Sequence, residues 1–445
     1  MTLFGTDGIR GRAGEPPLDD RTVFAVGLAL ADHIAKDRHG GALIGMDTRE
    51  SGPGIVRLLA AGLKDGGVAP EFAGVLPTPA VAHATRNGSY GLGVVVSASH
   101  NPFRDNGIKV FGPSGYKLPD DCEAAVEGRV HALLSNGIRP RLEEPTERPD
   151  VAQAYIRHLL EAVPVSERAR RLRFVVDCAN GAAVRIAPRL MELSGCQASF
   201  TACEPTGKNI NLGCGALHMR SLGRRVVDSG ADFGFAMDGD SDRCLLVDEQ
   251  GDVLDGDHLL LLAASALKRR RRLQGDLVVA TVMSNLALDV ALQGLGIRLV
   301  RTPVGDRHVT EGMLAAGASL GGEQSGHLVF SDHSTTGDGL LAMLFMLRIL
   351  AEEGVPCSSL RKRMKPFPQR LVNVRVREKR PLDTLPEIKS EIADREMELA
   401  GRGRVLIRYS GTEPVVRVMV EAERRSDVVL HSTQLAELFE KHLGE

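Results

Sequence analysis

Residues 172–195 read "LRFVVDCANGAAVRIAPRLMELSG". An apolar, β-rich run passes through a Cys-Ala-Asn-Gly turn into apolar residues at helical spacing, and the pattern stops at a glycine. One strand followed by one helix is the reading. The same order recurs on both sides. "GALIGMD" (41–47) precedes a helical stretch around residues 55–63, and "GLGVVV" (91–96) follows it. "DLVVATVMSN" (276–285) leads into "LALDVALQGLG" (286–296). Such alternation predicts βα units feeding largely parallel sheets. Three blocks of this kind are expected, at 1–150, 151–253 and 254–366, with a helix over "VAQAYIRHLLEAV" near the first boundary.

The pattern changes at "KPFPQR" (365–370). From there the order is strand, helix, strand, strand, helix, and the adjacent strands around Gly411 predict an antiparallel hairpin in a smaller α+β domain, 367–445. No repeat is visible in the residues themselves.

Composition limits the function classes. The 445 residues carry a formal net charge of -2, which argues against a nucleic-acid binder held by a general electrostatic field. The basic run "KRRRR" (268–272) follows an apolar helical stretch, where cations suit a helix C-terminus. Seven cysteines, scattered and without a C-x-x-C pair, fit reduced thiols better than a disulfide scaffold or structural zinc. Neither a leader peptide nor an apolar run of about 18 residues is read. A soluble, cytoplasmic, multidomain protein with no membrane partner is expected.

The sharpest local signal is "DGDSDR" (238–243), between two strand-like runs. Asp238, Asp240 and Asp242 on one turn repel each other unless a cation sits among them. Oxygen-only ligands favour Mg²⁺ over Zn²⁺. A solvated acidic turn is the plain alternative. "RYSGTEP" (408–414), with Arg417 beyond it, offers turn N–H groups, hydroxyls and two guanidinium forks to a phosphate, or else is an ordinary hairpin turn. "GGEQSGH" (321–327) sets a carboxylate, an amide, a hydroxyl and an imidazole on a glycine-flanked loop suited to a polyol, with His327 able to move a proton. "VGDRHV" (304–309) is a weaker signal of the same sort. "VSASHNP" (96–102) supplies two serines after a buried strand.

Together these motifs make a phosphoryl-transfer kit: an oxygen carrier, a cation site, polyol contacts and an anchor, one in each predicted domain. No G-x-x-x-x-G-K-[ST] loop is present, which disfavours a P-loop nucleotide as phosphate source.

In this order the motifs resemble the α-D-phosphohexomutase superfamily, from "FGTDGIRG" (4–11) to the C-terminal domain. "GKNINLGCG" (207–215), "VGDR" and "GGEQSGH" resemble the branch that acts on glucosamine phosphates. The resemblance implies an α/β fold: four domains around a central cleft, three related α/β domains with mixed sheets plus the smaller α+β domain. It also implies interconversion of glucosamine 6-phosphate and glucosamine 1-phosphate, towards UDP-N-acetylglucosamine and the cell wall.

By the same resemblance Ser99, rather than Ser97, is carried as phosphoserine and joins Asp238, Asp240 and Asp242 around Mg²⁺. Glucosamine 1,6-bisphosphate is then the intermediate and activator. Arg10 and Arg243 are expected at the transferring phosphate, with His100 supporting the loop or the phosphate. Lys109 and His327 are candidates for proton transfer. Glu323 and Ser325 are expected to read hydroxyls, and Arg408, Ser410, Gly411, Thr412 and Arg417 to anchor phosphate. Ser241 departs from the Gly or Ala common at its place, Leu217 from Thr or Ser, and His308 from Tyr. A phosphosugar is the expected partner, with a homodimer left open. Phosphomannomutase/phosphoglucomutase, a metal-dependent sugar phosphatase and a non-catalytic sugar-phosphate sensor are the competing readings.

Overall fold

The computed structural model describes residues 3–5, 7–37, 40–410 and 414–444. They form two compact units, one of residues up to 283 together with 295–362, the other of 284–294 with 363 onward.

In the first unit β1 (Phe4–Gly5), β2 (Gly8–Arg12), β3 (Ala42–Met46), β4 (Pro70–Val75), β5 (Leu92–Val96), β6 (Asp105–Phe111) and β7 (Thr146–Glu147) make one sheet in the order β1-β2-β6-β5-β3-β4-β7. A second sheet holds β8 (Arg173–Asp177), β9 (Gln197–Thr201), β10 (Phe233–Met237), β11 (Cys244–Asp248) and β12 (Val253–Leu254), ordered β12-β11-β10-β8-β9. The third, β14-β13-β15-β16, is built from β13 (Leu277–Thr281), β14 (Arg298–Thr302), β15 (Leu320–Gly322) and β16 (Leu328–Phe330).

These sheets share one plan that the residues alone do not reveal. In each, a first strand (β3, β8 or β13) pairs in parallel with both the second and the third. The fourth (β6, β11 or β16) runs antiparallel beside the third. The sheets are therefore mixed rather than largely parallel. The reason is connection length: loops as short as 238–243 and 323–327 can join only antiparallel neighbours, whereas the parallel pairs have helical crossovers.

Every residue of β5, β10, β11 and β13 is buried, as expected for strands covered on both faces. Helices Asp20–Asp37 and Gly52–Asp65 pack backbone to backbone: a Cβ at Gly27 would lie 2.5 Å from the Leu59 carbonyl, and one at Gly62 2.3 Å from that of Phe24. Helices Gly256–Arg269 and Gly339–Glu353 start at the Asp255 and Asp338 caps, whose carboxylates accept from His258 N at 3.2 Å and Leu341 N at 2.9 Å. The "KRRRR" run ends the first of these helices. There Arg269 meets Glu353 and Arg270 meets Glu352, an ion-paired helix end.

In the second unit β17 (Gln369–Arg375), β18 (Gly403–Tyr409) and β19 (Val415–Ala422) form an antiparallel sheet ordered β17-β19-β18. Val416, Val418 and Val420 alternate into a core with Ile388, Leu435 and Phe439 from helices Pro386–Glu398 and Arg425–Leu443. The period of two turns Arg417 to the opposite face. None of the seven cysteines, all among the described residues, is in a disulfide. Among the described residues no helix is long and apolar enough to cross a membrane.

Candidate active site

The shared plan places "SASHNP", "DGDSDR" and "EQSGH" at one topological position, the loop from third to fourth strand, at the carboxyl ends of the parallel strands. The loops meet there. Thr78 N donates to the Asp240 carbonyl at 2.9 Å, Cys244 N to that of Gly326 at 3.0 Å, and Gly339 N to that of Ser241 at 3.0 Å. Gly239 is needed for the approach, since a Cβ on it would fall 2.4 Å from the Ser99 carbonyl. Ser241 has φ 59°, a left-handed backbone, which explains why glycine suits its place.

The two serines of "VSASHNP" have different tasks. Ser97 Oγ donates to Asp47 Oδ2 at 2.6 Å and accepts from Ser99 N at 2.9 Å, so its hydroxyl is used in holding the loop. Ser99, at φ 51°, points its Oγ at Asp238 Oδ2, with His100 Nδ1 3.3 Å away. Ser99 is the serine presented to the acidic loop.

Asp238, Asp240 and Asp242 are buried and can offer one oxygen each within 4.8 Å of one another. Oδ1 of Asp240 and Oδ1 of Asp242 are buried without a hydrogen-bond partner among the described residues. Burial first, then Asp242 and Asp240, push the Asp238 carboxyl well above the usual carboxylate range. A hard divalent cation answers both features, because it supplies charge to three converging carboxylates and a partner for the unmatched oxygens.

Lys109 Nζ lies 2.8 Å from Asp240, 3.2 Å from Asp242 and 3.2 Å from Asp7. Burial works against its charge, yet Asp240, Asp7 and Asp242 outweigh it and hold the ammonium well above its ordinary value. Lys109 is thus a cation set among three carboxylates. His327 lies beside the same loop. Its Nε2 accepts from Gly337 N at 3.0 Å, which leaves the proton on Nδ1, 3.6 Å from Asp242 Oδ2. Burial works against a charge on this ring, but Asp242 outweighs it and raises His327 above its ordinary value.

Arg10 Nη1 donates to the Ala98 carbonyl at 3.1 Å, and its Nη2 pairs with Asp7. Arg243 N donates to Asp238 Oδ1 at 3.2 Å, and its Nε is 3.8 Å from Asp242 Oδ1. The two guanidinium side chains keep 26% and 20% exposure, enough to meet a ligand. Burial, then Arg243 and Arg10, lower His100 to about 4, so its imidazole is neutral at pH 7. Glu323 Oε1 accepts from Gly305 N at 3.1 Å, and Ser325 Oγ donates to Glu323 Oε2 at 3.3 Å. Two weak signals, "VGDRHV" and "GGEQSGH", thus become one surface.

In the second unit Arg408 and Arg417 are directly opposed on β18 and β19. Burial first, and then Arg417, lower the proton affinity of Arg408. Two guanidinium groups side by side suit an anion. Ser410 N donates to the Val415 carbonyl at 2.8 Å, and Lys379 Nζ to the Ser410 carbonyl at 2.6 Å. Gly411 and Thr412 lie outside the described residues.

Sequence reasoning passed over Asp7, Asp47, Arg49, Thr78 and Asn211. Asp7 and Asn211 lay inside quoted motifs without a role. Thr78 Oγ1 donates to Asp240 Oδ2, a contact across 162 positions that no local pattern announces.

Comparison with known proteins adds the following. Four phosphoglucomutase/phosphomannomutase domain families match: α/β/α domain I over residues 1–136, domain II over 153–251, domain III over 255–367 and the C-terminal domain over 371–436. A phosphoglucosamine mutase of Solibacter usitatus is 48% identical, over 100% of this chain and 99% of the relative. One from Koribacter versatilis is 46% identical, over 99% and 97%. Among solved structures, a phosphoglucomutase/phosphomannomutase family protein from Burkholderia thailandensis superposes with a TM-score of 0.83 at 24% identity, over 99% and 97%. The Aspergillus fumigatus N-acetylphosphoglucosamine mutase, in complex with GlcNAc-6P and magnesium, gives 0.68 at 21%, over 99% and 95%.

Proposed function

The chain belongs to the phosphoglucomutase/phosphomannomutase family, and from that premise we propose that it is a cytoplasmic enzyme interconverting glucosamine 6-phosphate and glucosamine 1-phosphate. The sugar follows the full-length relatives named for it; the product would feed UDP-N-acetylglucosamine synthesis. The observation that carries the chemistry is Ser99 Oγ aimed at a buried carboxylate triad with two unmatched oxygens.

In this reading Ser99 carries a phosphoryl group. The Ser99 O–P bond breaks as a sugar hydroxyl forms its own, giving glucosamine 1,6-bisphosphate. The intermediate turns over, and its other phosphate returns to Ser99. Mg²⁺, bound by Asp238, Asp240, Asp242 and a phosphoserine oxygen, would offset the negative charge at the phosphoryl group. Arg10 and Arg243 orient that group, and Lys109 pairs with Asp240 and keeps Asp242 ionised beside it. His100 is the neutral base next to Ser99. Phosphate on Ser99 raises its proton affinity, so the hydroxyl's proton has an acceptor there. Glu323 and Ser325 contact sugar hydroxyls; Arg408, Ser410, Gly411, Thr412 and Arg417 hold the phosphate that is not reacting.

Intact-mass analysis after incubation with glucosamine 1,6-bisphosphate, paired with a glucosamine phosphate assay, tests this. One phosphoryl group gained on the Ser99 peptide, with isomer conversion and no stoichiometric inorganic phosphate, is expected. Steady phosphate release would make it a hydrolase. Equal or better kcat/KM on mannose phosphates would overturn the choice of sugar.

A further inference from the structure

Arg49 carries no role in the reading above, yet its side chain is fully buried in an ion pair with a fully buried Asp47. A buried ion pair gives little net stability over apolar packing, and its cost rises with every unmatched N–H. Here none is unmatched. Nε donates to Asp47 Oδ2 at 2.8 Å, Nη1 to the carbonyls of Pro102 and Asp105 (the latter at 2.9 Å), and Nη2 to those of Ser99 and Asn101, both at 2.9 Å. All five donors of the guanidinium are used, and four of them hold one loop.

The second carbonyl lone pairs of Ser99 and Asn101 face another donor. Asn211, from the loop after β9, reaches them with Nδ2 at 2.9 and 3.2 Å. Asp47, fixed by Arg49, holds Ser97 Oγ, which takes the Ser99 N–H. Ser99 is thus held at its N–H and its carbonyl, by groups from three segments, in a left-handed conformation that a non-glycine residue does not favour unaided. Nothing in this clamp touches Ser99 Oγ.

We propose that Arg49 and Asn211 are positioning residues that hold the Ser99 backbone still while the phosphoryl group leaves and returns. The inference rests on Ser99 being the phosphate carrier. A carrier must offer its oxygen at the same point in both half-reactions, and a misplacement of about 1 Å costs on the order of 10²-fold in rate.

The test uses the full chain, charged with glucosamine 1,6-bisphosphate, with kcat expressed per Ser99-phosphorylated molecule counted by intact mass. Arg49→Lys keeps the charge but has three donors on a point, too few for four carbonyls. Its kcat should fall about 10²-fold with KM within about threefold, because the sugar contacts are untouched. Asn211→Ala, which loses the two amide contacts and puts alanine at a left-handed position of φ 58°, should lose about tenfold in kcat with KM unchanged. Since both variants loosen one loop, the double variant should lose less than the product of the two.

Wild-type kcat in Asn211→Ala and in folded Arg49→Lys would overturn the clamp. So would a defect confined to KM, or one that vanishes once unphosphorylated or unfolded molecules are discounted. If Ser99→Ala itself turns over normally, the carrier reading fails instead, and the two failures are distinguishable.

Discussion

The Ser99 loop and the β18–β19 hairpin handle charge in opposite ways. Around Ser99 nearly every buried charge has a partner within the fold: Arg49 with Asp47, Lys109 with three carboxylates, Arg10 with Asp7. Among its carboxylates, one oxygen of Asp240 and one of Asp242 lack a hydrogen-bond partner among the described residues, where a cation fits. On the hairpin Arg408 and Arg417 oppose each other across the strands. The first region is organised before substrate arrives, as group transfer requires. The second sets two guanidinium groups on facing strands, a pairing that suits a bound anion. One is built for position, the other for capture.

Variants can break this comparison, and the largest effect belongs to the positioned oxygen. Ser99→Ala should keep its fold and lose turnover by on the order of 10⁴-fold, while Ser97→Ala should still accept a phosphoryl group. Phosphorylation of Ser99→Ala at Ser97, with turnover retained, would reverse the two assignments. Asp240→Asn removes charge where an oxygen already lacks a partner. A Mg²⁺ titration should show half-saturation raised about 10²-fold, and an unchanged midpoint would remove Asp240 from the cation site.

Arg417→Ala should act on capture, raising KM for phosphosugars about tenfold with little change in kcat. The same change leaves the backbone pairing of the sheet intact, so the ligand-free protein should change in stability by no more than about 1 kcal/mol in denaturant titration. A clear loss of stability would show that Arg417 holds the hairpin together and would weaken the contrast.

The smallest effect is acid sensitivity near Ser99. The folded value of His100 is about 4, below its ordinary 6.5, so the unfolded chain binds more protons between them. Stability should therefore fall as pH drops from about 6.5 to 4, and remain full above that window. Thermal midpoints across the window should fall less in His100→Gln than in the parent, and parallel curves would show that His100 is not set against the arginines.

How much was legible beforehand varies by region. The C-terminal order of strand, helix, strand, strand, helix is seen as read, because period-two and period-3.6 patterns are written locally. The repeat in the first unit was invisible, since topology constrains the backbone path and leaves side chains free to diverge. "DGDSDR" was readable because three carboxylates on one turn are a chemical anomaly at short range. Arg49 was not: an arginine three residues after a strand is ordinary until its five acceptors are known. Lys109 and His327 were found, but the carboxylates that face them lie far along the chain and were not legible.

The sequence by itself determined the residue types that phosphoryl transfer needs, the order of the elements that carry them, and the family. Only the tertiary structure decided what holds the Ser97 hydroxyl, which cations sit among the carboxylates, and which buried arginine holds the loop. The physical reason is that composition and periodicity are properties of neighbouring residues, whereas hydrogen-bond direction, burial and charge compensation belong to groups that meet only when the chain folds.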